Sequence, residues 1–96
     1  MNIKTNDEQT EYSEILISIK SRDSIHKYVE ECLHKLKTGN VKIIGRQYAI
    51  MKAFSILEAL KEKNEHFDYI IEYNNLTATT PDRRKILEIH IYLKKK

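Results

Sequence analysis

The sequence predicts an α+β two-layer sandwich, a mixed four-stranded sheet with two helices on one face, in the order β-α-β-α-β-β. Three observations lead there. Short stretches rich in alternating or β-branched residues occur at four separate places. Two segments between the first three of them carry apolar residues at helical spacing. The last two stretches are joined by a polar segment with the sole proline, Pro81, which reads as a hairpin tip. The two leading β-α units favour a parallel pair with right-handed crossovers.

Each element has a local cause. Ile15, Ile17 and Ile19 alternate along 15–20, as in a half-buried strand. Asp23 or Ser24 can cap the helix that follows. Ile25, Tyr28, Val29, Cys32, Leu33 and Leu36 form its apolar stripe, with Lys27, Glu30, Glu31, His34 and Lys35 opposite. Gly39-Asn40 ends it. Residues 41–44 read as a second strand, and Gly45-Arg46-Gln47 as a strand-to-helix turn. A long helix is expected from Tyr48 to Lys63, with the stripe Ile50, Ala53, Phe54, Leu57 and Leu60. Ile56, Met51 and Ala59 widen that stripe, enough to pack on a sheet and on another subunit. Residues 67–77 read as strand three, 78–85 as the hairpin tip, and 86–93 as strand four. In that last strand Leu87, Ile89, Ile91 and Leu93 face one way, and Glu88, His90 and Tyr92 the other.

With 96 residues, 41% of them apolar and 32% charged, the chain suits one small globular domain. We place it at 14–96, after an acidic, disordered tail at 1–13. No apolar run approaches the ~18 residues of a membrane span, and Met1 to Glu14 lacks the apolar core of a secretory signal. Cys32 is the single cysteine, which excludes an internal disulfide framework and a multi-cysteine zinc site. An intracellular protein, in cytoplasm or nucleus, is expected.

Charge is unevenly spread. The net charge is +3. Segments 20–52 and 79–96 are basic, while 1–14 and 53–78 are acidic. Adjacent parallel strands end on the same sheet edge, so Arg22 and Arg46 should project together, with Lys52 beside them and Lys20 and Lys42 in support. Arginine suits phosphate because its planar fork donates two parallel hydrogen bonds. Arg83, Arg84 and Lys85 would form a basic arm at the hairpin tip. Plain solvated charge, or protection of a strand edge, is the competing reading.

Other chemistry is weakly supported. His26, Glu30 and His34 share a helix face at i, i+4 and i+8, but no fourth metal ligand is evident. Cys32 falls on the apolar stripe and reads as buried and inert. The two glycines, Gly39 and Gly45, are too far apart for a phosphate loop. No catalytic residue, metal or cofactor is expected.

Three pieces in order resemble the Alba family of small DNA- and RNA-binding proteins. The first is Ile19-Lys20-Ser21-Arg22 leading into Ile25-His26-Lys27-Tyr28-Val29. The second runs from Val41-Lys42-Ile43-Ile44-Gly45-Arg46-Gln47-Tyr48-Ala49 to Ala53, like the family's Arg-Gly-Arg-Ala-Ile element. The third is Asp82-Arg83-Arg84-Lys85 before Leu87-Glu88-Ile89-His90-Ile91 and a lysine-rich end. The resemblance implies a non-enzymatic dimer, with itself or with a related chain, that binds RNA or DNA along a basic face with hairpin arms. Family members include chromatin proteins and subunits of ribonuclease P and MRP, so a ribonucleoprotein subunit is the alternative role. Two departures matter. Arg22-Asp23 stands where the family often has two lysines, and Gln47-Tyr48 where it has Gly-Arg. Tyr48 could stack on an unpaired base, which tilts the expectation towards RNA.

Overall fold

The computed structural model describes residues 11–19, 24–63, 66–77 and 85–95. Strand β1 is Tyr12–Leu16, helix α1 Ile25–Leu36, strand β2 Asn40–Arg46, helix α2 Ile50–Glu62, strand β3 Phe67–Thr77 and strand β4 Lys85–Lys95. The β-α-β-α-β-β order and the four-stranded mixed sheet agree with the sequence. The sheet order is β1-β2-β4-β3, with β1 parallel to β2 and β4 antiparallel to both neighbours.

One sheet face carries both helices. Val41 and Ile43 of β2, and Ile89, Ile91 and Leu93 of β4, bury fully against Val29 and Cys32 of α1 and Ala53, Ile56 and Leu60 of α2. Each large aliphatic side chain so removed from water stabilises the fold by about 1.5–3 kcal/mol relative to exposure. The helix boundaries follow local chemistry. Ser24 caps α1, its Oγ accepting the Lys27 N–H at 3.3 Å. Beyond Leu36, the N–H groups of Thr38 and Gly39 donate to the Lys35 carbonyl.

Element ends differ from expectation in instructive ways. The first strand lies at Tyr12–Leu16 rather than 15–20, so it takes in Tyr12 and Ser13, which the sequence placed in the tail. Residues 1–10 lie outside those described. Pairing stops because the chain must leave the sheet to reach α1. Ile17 still donates to the Ile44 carbonyl at 2.9 Å, but Ser18 instead donates to the Tyr28 hydroxyl at 3.3 Å. Ile15 and Ile17 are therefore buried and Ile19 is exposed, against the expected shared face. Strand β2 runs on to Arg46, because Arg46 pairs with Glu88 across the sheet. The expected second helix opens as a short 3-10 turn, Gln47–Ala49, with Gln47 at φ 50°. Strand β4 extends to Lys85 and Lys95 because β3 pairs with it along its whole length.

Candidate nucleic-acid interface

β1 and β2 are parallel, so both end on the edge where α1 and α2 begin. Gly45 permits the close seat of α2 on that edge. A Cβ there would meet the Ala53 Cβ at 3.0 Å, the Ala49 carbonyl at 3.2 Å and the Ile50 Cα at 3.4 Å. Arg46 follows, then Tyr48, the most exposed large side chain of the edge at 80%.

Arg46 is not a loose surface cation. Its Nε donates to the carboxylate of Glu88, its partner across the β2–β4 ladder. Glu88 is only 5% exposed. Its other oxygen lies 2.7 Å from Nε2 of His90. The Tyr92 hydroxyl donates to Glu72 at 3.0 Å and sits 3.5 Å from Nδ1 of His90. This chain of polar groups runs along the sheet face opposite the helices. Burial pushes the Glu88 carboxyl up, but the hydrogen bonds from Arg46 and His90, with the nearby Arg46 charge, outweigh it and hold the group below its usual range. For Tyr92, burial and the hydrogen bond to Glu72 raise the phenol above its ordinary value.

Lys52 projects from the first turn of α2 towards the chain that follows β1. Its Nζ donates to the Ser18 carbonyl at 3.0 Å and lies 4.9 Å from the centre of the Tyr28 ring. Tyr28 thus holds both Ser18, through its hydroxyl, and Lys52, through its ring face. Lys42 lies four residues before Arg46 on the open sheet face, roughly 13 Å back along the strand. There it is 3.6 Å from Glu14 and 5.2 Å from the Tyr92 ring centre.

Lys85 opens β4. β2 pairs with β4 only as far as Glu88, while β3 pairs with it as far as Lys85. The β3–β4 ribbon therefore projects three residues beyond the end of β2 and carries Lys85 outward. Lys20, Arg22, Arg83 and Arg84 lie outside the described residues. The edge thus gathers Arg46, Tyr48 and Lys52, with Lys85 on the ribbon beyond, while Lys42 stands apart. Sequence reasoning missed Glu88, His90 and Tyr28 as supports of this edge. Glu88 stands between Leu87 and Ile89, a pattern that a solvated carboxylate on a strand shares, and the register that brings it to Arg46 is a tertiary fact.

Among the described residues no group of three His, Cys, Asp or Glu side chains is placed to hold a metal ion. His26 is 3.9 Å from Glu30 as a helical neighbour. Also among them, no helix is long and apolar enough to cross a membrane.

Known structures share this architecture. The crystal structure of ALBA1 from Trypanosoma brucei superimposes with a TM-score of 0.71 at 19% identity, covering 91% of this chain and 72% of that one. Alba from Thermoplasma volcanium gives 0.62 at 16% identity, covering 86% of this chain and all of that one. No curated protein matches the sequence. A sequence model of the Alba family matches residues 15–80, more than two thirds of the chain and the whole stretch from the end of β1 through β3. The chain belongs to the Alba family.

Proposed function

We propose that this protein is a non-enzymatic RNA- or DNA-binding protein of the cell interior that acts as a dimer and grips the nucleic-acid backbone, with RNA favoured over DNA. The observation that carries this reading is the grouping of Arg46 and the exposed Tyr48 at one sheet edge, with the β3–β4 ribbon and Lys85 beyond it. A guanidinium next to an exposed phenol ring suits a phosphate and its unpaired base together. Arg22, Lys20, Arg83 and Arg84 extend the same surface in this proposal, Lys52 braces it, and Lys42 adds a more distant charge.

Dimerisation is supported by exposed apolar side chains on the helix-bearing side. Met51, Tyr69, Tyr73 and Leu87 are all well exposed there, and Phe54 of α2 is half-buried against the core. A second copy or a related chain would cover them. A ribonucleoprotein subunit paired with a related chain uses the same surfaces. Sedimentation separates the two, since a stable self-dimer favours the first and an aggregating orphan the second.

The test is a salt titration of binding to single-stranded RNA, duplex RNA and duplex DNA of equal length. Binding should weaken steeply with salt. Arg22→Glu with Lys85→Glu should weaken all three ligands and flatten the slope, while Tyr48→Ala should cost about 1–3 kcal/mol on single strands alone. Unchanged binding in a folded Arg22→Glu/Arg46→Gln/Lys85→Glu variant overturns the proposal.

A further inference from the structure

A cavity of about 310 Å³ opens at the end of the domain opposite Arg46, between the last turns of α1 and the start of β3. Phe67 and Lys95 pair there, at the end of the sheet where β2 begins, roughly 20 Å from Arg46 along the strand. Its apolar wall is Leu33, Leu36 and Phe67. Its polar rim is His34, Lys37, His66 and Lys95, together with Glu30.

The rim has an unusual balance. Four side chains can donate hydrogen bonds, and two of these carry full positive charge. None of the four has an ion-pair partner among the described residues, whereas the single carboxylate, Glu30, is already shared by His26 at 3.9 Å and Lys63 at 4.0 Å. The helix end does not consume these donors either. The His34 and Lys35 carbonyls accept backbone N–H groups from Lys37, Thr38 and Gly39. What remains is a cationic mouth over an apolar wall.

We propose that this cavity is a second ligand site that takes a nucleoside monophosphate, either as a free nucleotide or as the 5′-phosphorylated end of a strand. The flat base lies against Phe67, Leu33 and Leu36, and the phosphate meets Lys37 and Lys95 with the two imidazoles beside it. The volume sits at the lower end of small-molecule sites, about 300–1,000 Å³, and so admits one nucleotide. The site is independent of the Arg46 edge and does not rest on the function proposed above.

Amide NMR titration of the full chain with AMP tests this, with adenosine and inorganic phosphate as single-feature probes. Shifts should centre on 33–37, 66–67 and 95, and AMP should bind more tightly than either fragment. A Lys37→Glu/Lys95→Glu variant, both positions being exposed, should weaken AMP by about tenfold or more, while Tyr48→Ala leaves it unchanged. A 5′-phosphorylated trinucleotide that outcompetes its 5′-hydroxyl form identifies a strand end, and equal competition identifies a free nucleotide. No shifts at millimolar AMP, shifts centred on 46–52, or binding indifferent to the double charge reversal overturns the proposal.

Discussion

Arg46 and Glu88 face each other across the β2–β4 ladder, and the buried carboxylate of Glu88 receives the Arg46 Nε while also meeting His90. The nitrogen that holds Arg46 to the sheet is the inner one. The pair ties Arg46 to the sheet through Nε and sets an anion beside the cation at this edge.

Replacing Glu88 with Gln should therefore separate stability from binding. The variant loses a charge-assisted pair at a half-exposed arginine, and about 1–2 kcal/mol of unfolding free energy should go with it. A chemical-denaturation midpoint measures that loss. Affinity for nucleic acid should hold or rise, since one anion has left the edge.

The same carboxylate gives a pH dependence with a definite sign. A carboxyl held below its unfolded value of about 4.3 contributes stability above that value and loses it as pH falls through the folded one. Denaturation midpoints taken from about pH 6 down to about pH 3 should drop more steeply in the parent than in Glu88→Gln. Parallel curves would show that Glu88 is not a contributor.

Gly45→Ala should destabilise by about 1–3 kcal/mol. The added methyl meets the Ala49 carbonyl and Ile50 Cα, which are backbone and cannot swing aside. Thermal unfolding measures the loss, and a paired reduction in nucleic-acid affinity should follow, because Arg46 and Tyr48 hang on this junction.

Gln47 occupies a left-handed backbone conformation at φ 50°, which costs a residue with a Cβ about 1–2 kcal/mol. Gln47→Gly should raise stability by about 0.5–1 kcal/mol after its greater unfolded-state freedom is counted. Gln47→Ile should lower it. The order of the three midpoints is the check.

Cys32 is fully buried, and that burial, with Glu31 nearby, pushes its thiol up to about 12. A disulfide reagent at neutral pH should leave the folded protein unlabelled over the time in which a denatured sample reacts completely. Rapid labelling without denaturant would mean that α1 opens readily from the sheet.

Much of this fold was legible from periodicity. The stripes of α1 and α2 and the alternation of β4 named nearly the whole core, because burial against one sheet face imposes those spacings. Strand ends were less legible, since they depend on partners. Ile19 looks like a third inward residue until the chain turns to meet Tyr28, and Arg46 reads as a turn residue until Glu88 is placed opposite it. The candidate site was legible in the same uneven way. Arg46, Tyr48 and Lys52 share an edge because they follow one another from the end of β2 into α2, whereas Arg22, which the parallel strands should bring beside Arg46, lies outside the described residues. Lys42 does not join them, because a strand carries it back by its own length. Glu88 escaped notice since nothing local distinguishes a buried carboxylate from a solvated one on the polar side of a strand.

The position of β4 bears on how the chain is made. β2 and β3 do not touch each other in the sheet; β4 lies between them and pairs with both. A nascent chain that has not yet delivered Lys85–Lys95 from the ribosome can form its helices and the β1–β2 pair, but it has no central strand on which to close the core. Ile89, Ile91 and Leu93 then arrive together, after the other core elements. Closure of the core thus waits for long-range pairings, which are slow to find. Messages truncated before codon 85 should yield chains that quality-control proteases recognise as unfinished.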